Sequence, residues 1–327
     1  MRRLTVRAEQ WPLKETFVIS RMVQEQGEVV VVEIEEDGAV GRGECDRADC
    51  FDPTLKPVVE EVEALRPEIE SGLDREKLKG LLPSGCARNA IDCALWDLEA
   101  KKAGRPAWEL AGLGKAPTAV TTVFTISLGE PEAMAAAAHA NRDRPVLKLK
   151  LGRNGDPERV AAVREAAPDA RISVDANTGW SEQQLRDYLP PLKALGVELV
   201  EQPFPVGQDA ALDHIDRIIP IAADESCLDR SSLEGLTGRY DFVNIKLDKT
   251  GGLTEALELA AAAKAKGFGI MVGCNIGTSL AMAPAMLVAQ LAAFVDLDGP
   301  LLLTKDREPG LHYDGSSISP PTPELWG

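Results

Sequence analysis

The sequence predicts an α/β protein in which a barrel of parallel strands and helices follows a smaller α+β unit. Three observations predict this. From residue 117 onward, short β-branched segments alternate with helical ones, as in parallel strands joined by helical crossovers. Those segments end in polar or charged residues that recur at a barrel-like interval. Before residue 117 the order differs, with strands first and helices after them.

In the first unit, "VVVVEIEEDG" (29–38) reads as a strand closing on Asp-Gly, a hairpin turn, with "GRGECD" as its partner. "TLKPVVEEVEALRPEIESG" and "ARNAIDCALWDLEAKKAG" read as helices. In the second, Ala90, Ile91, Ala94, Leu95 and Leu98 recur at helical spacing and Gly104 ends it. This α+β unit is expected over residues 1–115, completed by the Pro- and Gly-rich segment 300–327.

Residues 116–299 are expected to form the barrel. Its segments are "AVTTVFTISL", "VLKLKLG", "RISVDAN", "VELVEQP", "PIAADES", "FVNIKLDKTGG", "GIMVGCN" and "AAFVDLD". Lys150, Asp175, Glu201, Asp224, Lys246, Cys274 and Asp296 close seven of them, at intervals of 25, 26, 23, 22, 28 and 22 residues. A barrel of eight units in about 250 residues takes about 30 per unit, with its site at the C-terminal mouth. The segment "TFVISRMVQEQG" (16–27) is the candidate lid over that mouth.

Composition narrows the function. The net charge of −16, from 36 basic and 52 acidic residues, argues against nucleic acid and membrane surfaces as partners. It leaves room for a small anionic substrate, because a metal or local lysines can invert the field of a pocket. No run of eighteen apolar residues occurs and the N-terminus has no apolar signal core, so a cytoplasmic protein is expected. The cysteines at 45, 50, 86, 93, 227 and 274 show no CxxC pairing and read as reduced thiols. His139, His214 and His312 have no ligand-like neighbours, so any metal should be hard and oxygen-bound. Nothing in the sequence decides between a monomer and a homo-oligomer.

Asp175, Glu201 and Asp224 close three successive strands. Together they form an oxygen-only set suited to Mg²⁺ with open positions; singly, each could be a helix N-cap. Asn177 and Glu225 are candidate supporting partners. Lys148 and Lys150 share one face of their strand, and Lys246 sits in an apolar run. A lysine inside a barrel is costly unless paired or functional, and burial beside other cations lowers its pKa toward that of a usable base. A salt bridge is the alternative, foremost for Lys148. Lys150 and Lys246 are expected on opposite sides of the barrel. Asp296 and Asp298, in "FVDLDGP", are expected on one face of the last strand and would need a cation between them.

Taken together, "ARNAIDCALWDLEAKKAGRPAWELAG", "KLK", "VDANTGW", "VEQPFP", "ADES" and "NIKLDKTGGLTEA" resemble the enolase superfamily, in its muconate-lactonising subgroup. The resemblance spans essentially the whole chain. It implies a (β/α)7β modified TIM barrel with a capping domain, Mg²⁺ at Asp175, Glu201 and Asp224, and Lys150 and Lys246 as an acid/base pair. Lys148 would help hold the substrate carboxylate. "VDLDG" is similar to the Asp-x-Asp with which dipeptide epimerases, such as the L-Ala-D/L-Glu epimerases, hold the substrate's α-ammonium. That similarity implies 1,1-proton transfer on a dipeptide in cell-wall peptide metabolism, with Thr125 a further substrate contact and Arg21 pairing with a side-chain carboxylate. An N-acylamino acid racemase or another enzyme of the subgroup is the alternative. Asn275 and Gly277 depart from the pattern and would reshape the pocket.

Overall fold

The computed structural model describes residues 2–46 and 55–327; the expectation of a reduced Cys50 falls outside them. The chain begins with a three-stranded antiparallel sheet, Arg3–Val18, Val23–Glu36 and Ala39–Asp46, in that order. The turn expected at Asp37–Gly38 is present, both residues having positive φ (54° and 83°), as a tight hairpin turn between right-twisted strands requires.

The four-valine run of the middle strand has a packing reason. Val30, Val32 and Ile34 belong to the core under the capping helices, whereas Val29 and Val31 belong to the core shared with the barrel. Successive side chains leave a strand on opposite faces, so a strand buried on both sides reads as continuously apolar rather than alternating.

Helices Lys56–Ala64, Arg66–Glu70 and Arg75–Leu81 follow, and the first two form where one helical stretch was expected. Pro67 at the start of the second cannot donate the backbone bond that would continue the first. The helix Cys86–Ala103 ends on Gly104 in the left-handed conformation (φ 59°) and is buried on nearly all sides between this sheet and the barrel.

The barrel is one eight-stranded parallel sheet, with strands adjacent in sequence adjacent in space. Its strands, one to eight, are Phe124–Ile126, Val146–Lys150, Arg171–Asp175, Val197–Glu201, Ile221–Ala223, Phe242–Ile245, Gly269–Gly273 and Phe294–Asp296. The seam between strands eight and one is bridged by the Val123 N–H donating to Val295 O at 2.9 Å and the Leu297 N–H donating to Thr122 Oγ1 at 2.9 Å. Leu199, Ala222 and Met271 form a small separate core, with the edge-to-face pair Phe242 and Phe294 (centroids 5.2 Å apart) against it. These residues alternate along their strands with outward-facing ones, so they plug the barrel interior below its charged mouth.

The first expected barrel segment divides. Val120–Thr121 pairs with Ser317–Ile318 of the C-terminal segment, and only Phe124–Ile126 enters the barrel. The C-terminal segment also reaches the first unit: Trp326 Nε1 donates to Cys93 O at 3.0 Å and the Gly327 N–H donates to Asp97 at 2.7 Å. No helix among the described residues is long and apolar enough to cross a membrane.

Gly41 and Gly43 let the third strand lie directly on the helix Cys86–Ala103. A Cβ at Gly43 would lie 2.1 Å from Ala90 O, and one at Gly41 would lie 2.1 Å from Ala94 O. Neither obstacle is a flexible side chain, so the elements themselves would have to separate. Gly43→Ala is expected to lower thermal stability by about 1–3 kcal/mol or more, the usual cost of overpacking. A melting curve matching the parent's would show that the contact is not tight.

Candidate active site

The barrel topology gathers the charged strand ends into one mouth. Lys150, Asp175, Glu201 and Asp296 are the last residues of strands two, three, four and eight, while Asp224, Lys246 and Cys274 directly follow strands five, six and seven. Register fixes their heights, since Lys150 lies opposite Asp175, and Asp175 opposite Glu201. In an eight-membered ring, strands two and six are diametrically opposed. Lys150 and Lys246 therefore approach the mouth from opposite sides, with the three acids on the strands between.

Asp175, Glu201 and Asp224 are all buried, and each offers an oxygen within 4.8 Å of the others. Among the described residues this is the one cluster of three or more potential metal-ligating side chains. The donors are all hard oxygens, and the nearby Asn177 Oδ1 is a buried acceptor without a donor. That combination fits Mg²⁺, which prefers carboxylates and retains open positions.

Amines balance these acids. Lys150 Nζ lies 2.7 Å from Asp175 Oδ2, Lys246 Nζ 2.8 Å from Asp224 Oδ2, and Lys249 Nζ 2.6 Å from Asp224 Oδ1. Burial would raise the Asp175 carboxyl, but the adjacent Lys150 and Lys148 ammonium groups bring it down to about 2. Burial and the Asp175 charge push Glu201 up to about 8 despite Lys148. Lys246 runs against the sequence expectation of a lowered pKa. Burial alone would lower Lys246, but the facing Asp224 and Glu201 carboxylates raise it instead.

Lys148 lies deeper than Lys150 and Lys246. It is 1% exposed and absent from the cavity wall, with its ammonium 2.6 Å from Asp296, 2.7 Å from Glu201 and 3.3 Å from Asp175. Three carboxylates claim it, which is the salt-bridge alternative the sequence left open for Lys148. Asp296 and Asp298 both line the cavity, but only Asp296 is on the strand. Asp298 precedes the short helix Gly299–Leu302, where its carboxylate accepts the Thr125 N–H at 2.6 Å. Burial, then the nearby Asp296, pushes Asp298 up to about 7.

The candidate lid is a β-hairpin tip, and Phe17, Ile19, Arg21, Met22 and Gln24 of it line the cavity. Arg21 also pairs with Glu225 at 2.7 Å, so a substrate carboxylate would have to compete for it. Thr125 and Asn275 line the cavity too, and Asn275 Nδ2 donates to Asp248 at 3.4 Å. Gly277 lies outside this wall, where a Cβ would be 3.2 Å from Glu44 Oε1. It lines a small neighbouring cavity together with Cys274, Asn275 and Ile276.

Three supporting residues were not singled out from sequence. Gln202 holds the loop of Asp224, accepting the backbone N–H groups of Asp224 (2.9 Å) and Ser226 (3.1 Å). Asn244 donates to Glu201 Oε1 at 2.7 Å, and Lys249 holds Asp224. The available signal was a polar residue inside or beside an otherwise apolar strand, as in "VEQP" and "FVNIKLDK".

Residues 1–112 match the family described as mandelate racemase / muconate lactonizing enzyme, N-terminal domain, and residues 132–322 match the enolase C-terminal domain-like family. The chain belongs to the enolase superfamily. It is 44% identical over 315 residues to the L-Ala-D/L-Glu epimerase of Escherichia coli K12, covering 96% of this chain and 98% of that one. It is 46% identical over 255 residues to an N-acetyl-D-glutamate racemase of Pseudoalteromonas, covering 78% and 80%. A crystal structure of an enolase family member from Agrobacterium tumefaciens, described as having homology to dipeptide epimerases and bound sodium and L-Ala-L-Glu, superposes with a TM-score of 0.98 at 48% identity. It covers 100% of both chains.

Magnesium titrated calorimetrically into the protein without substrate should give a one-site isotherm. Asp175→Asn and Asp224→Asn should each lose it. Retention of full affinity in both variants would remove these carboxylates from the metal site.

Proposed function

We propose that this chain is a Mg²⁺-dependent dipeptide epimerase that inverts the α-carbon of the C-terminal residue, with L-Ala-D/L-Glu as the dipeptide that best fits the site. One observation carries the substrate class. Asp298 is a buried carboxylate in the cavity wall with no ion-pair partner among the described residues, next to an Asp296 whose charge Lys148 already meets. The α-ammonium of a dipeptide supplies the missing cation, and such a charge-assisted contact contributes about 1.5–3 kcal/mol.

The residues divide the work by position. Asp175, Glu201 and Asp224 would hold Mg²⁺. A bound ion would supply positive charge beside the substrate carboxylate, and it would offset the Asp224 and Glu201 charges that raise Lys246. Lys150 and Lys246, approaching from opposite strands, take the proton from one face of the α-carbon and return one to the other. Lys148 acts indirectly, by neutralising Asp296, Glu201 and Asp175. Thr125 fixes Asp298 through its backbone, and Arg21 leaves Glu225 for a glutamate side chain. The apolar plug beneath the mouth excludes water from below.

The setting we infer is cytoplasmic degradation of cell-wall peptides. The five described cysteines are all free, as suits a reducing compartment. Residues 1–115 with 300–327 would act as the cap that selects side chains, and residues 116–299 as the barrel that carries the chemistry.

One observation favours a second reading, racemisation of an N-acylated amino acid. Below about pH 7 Asp298 is neutral and can donate to an acyl oxygen. The two readings predict opposite pH limbs. For a dipeptide, kcat/KM should rise as pH climbs through about 7 and Asp298 ionises, then fall as the substrate amine loses its proton near about pH 8. For an N-acyl substrate it should fall through the same interval. Asp298→Asn should lower kcat/KM on dipeptides about 10- to 150-fold, the equivalent of the lost contact, and flatten the lower limb. An unchanged dipeptide profile in that variant would reject Asp298 as the ammonium site.

Incubating the enzyme with Mg²⁺ and a dipeptide library in D₂O should place deuterium on the C-terminal α-carbon, detected by mass spectrometry. Lys150→Ala and Lys246→Ala should each abolish epimerisation. Exchange of one isomer surviving in a single variant assigns that lysine's face. Exchange on N-acyl amino acids alone would favour the second reading.

A further inference from the structure

The two oxygens of each carboxylate in the mouth keep different company. Asp175 Oδ1 accepts the Asn177 N–H at 2.8 Å, while Oδ2 faces Lys150 at 2.7 Å. Glu201 Oε1 accepts Asn244 Nδ2 at 2.7 Å, while Oε2 faces Lys148 at 2.7 Å. Asp224 Oδ1 accepts Lys249 Nζ at 2.6 Å, while Oδ2 faces Lys246 at 2.8 Å. One oxygen of each acid is thus committed to a fixed donor, and the other sits on a lysine ammonium, the contact that a bound cation would replace. Chelation through both oxygens would cost the fixed donor's bond as well, in a buried site.

Two of these three fixed donors are side chains held in place. Asn244 is fully buried on strand six, and its Oδ1 has no partner. A Cβ at Gly273 on neighbouring strand seven would lie 2.6 Å from that Oδ1 and 2.8 Å from Nδ2, so Gly273 leaves the amide its place. Lys249 lies on the short helix Leu247–Thr250 that directly follows Lys246. Its ammonium also donates to Asn244 O at 3.0 Å and to the Asp224 carbonyl, which prevents it from swinging away.

We infer that Asn244 and Lys249 are positioning residues that restrict Glu201 and Asp224 to one-oxygen ligation, and that this restriction makes the site select Mg²⁺ over Ca²⁺. Mg²⁺ takes about six ligands in near-ideal octahedral geometry and keeps some of its waters, whereas Ca²⁺ takes about six to eight oxygens and accepts bidentate carboxylates. Three one-oxygen carboxylates satisfy the smaller ion and leave the larger one short of ligands. The inference deepens the proposed function and rests on the three acids being a metal site.

The test is calorimetric titration of the whole protein with MgCl₂ or CaCl₂, without substrate. Wild type should bind Mg²⁺ more tightly. Asn244→Ala frees Glu201 Oε1, and the ratio of the two dissociation constants should move toward Ca²⁺ by about tenfold, as for other ligand-orienting residues. Gly273→Ala displaces the same amide from another strand and should move the ratio the same way, so the test survives if Asn244→Ala does not fold. Lys249→Met should do likewise at Asp224. Its lost positive charge tightens both ions and cancels in the ratio. Lys249→Arg keeps a donor on Asp224 Oδ1 and should restore the wild-type ratio, which a merely structural role would not do. Absence of Mg²⁺ binding in the wild type overturns the metal site itself. Wild-type binding with an unchanged ratio in Asn244→Ala, Gly273→Ala and Lys249→Met overturns the inference alone.

Discussion

Carboxylates cannot be buried side by side without cations among them, and much of this structure answers that constraint. Asp175, Glu201, Asp224 and Asp296 enter the barrel mouth from strand ends, buried, and Lys148, Lys150, Lys246 and Lys249 meet them there. Removing one member of such a set would strand a buried charge, which costs several kcal/mol, so the group stands or falls together. The barrel supplies what the charges require. Parallel strands of matched register bring residues far apart in sequence to one height, and hydrogen-bonded strand ends hold them against their mutual repulsion.

The capping unit meets a different requirement. Its middle strand is buried on both faces, and Gly41 and Gly43 bring the third strand into backbone contact with the helix Cys86–Ala103. This close layering seats the hairpin tip over the mouth, where Phe17, Ile19 and Met22 bring apolar surface to a wall otherwise rich in charge. Apolar cover strengthens every electrostatic contact beneath it by excluding solvent. Arg21 and Glu225 lie at this boundary, joining the hairpin to the barrel by a bond that a substrate carboxylate could exchange into.

The barrel was legible in the sequence because a βα repeat has a nearly fixed length. Polar residues recurring every 22–28 positions in apolar strands could hardly mark anything else. The three acids were legible for the same reason, as members of the series. Pairings across the ring were not. Alternation places Lys148 on the inner face of its strand, but nothing local shows that its partner is Asp296, 148 residues away. Asp298 was misplaced because period-two reasoning assumes that the strand continues, whereas pairing stops at Asp296 and the chain turns toward Thr125. Lys249 was not singled out because its role depends on a single helical turn after Lys246, which brings it back onto Asp224.

The charge count also bears on how many lysines can act as bases. Without ligands, four buried carboxylates face four lysines, and Asp298 has no ion-pair partner among the described residues. In the proposed reaction, the α-ammonium of a dipeptide would settle Asp298. A divalent cation held by the triad would add two positive charges, and the substrate's C-terminal carboxylate would return one negative charge. The balance would then be restored by one lysine giving up its proton. A two-base epimerisation needs that state, one neutral amine to take the α-proton and one ammonium to supply another from the opposite face. Lys150 and Lys246 stand on opposed strands, each beside a carboxylate, so in the proposed reaction either would serve as the neutral member and one site would process both configurations. An N-acyl substrate lacks the ammonium and returns the surplus charge to Asp298, which must then hold its proton; the pH dependence of the two substrate classes therefore diverges at this residue.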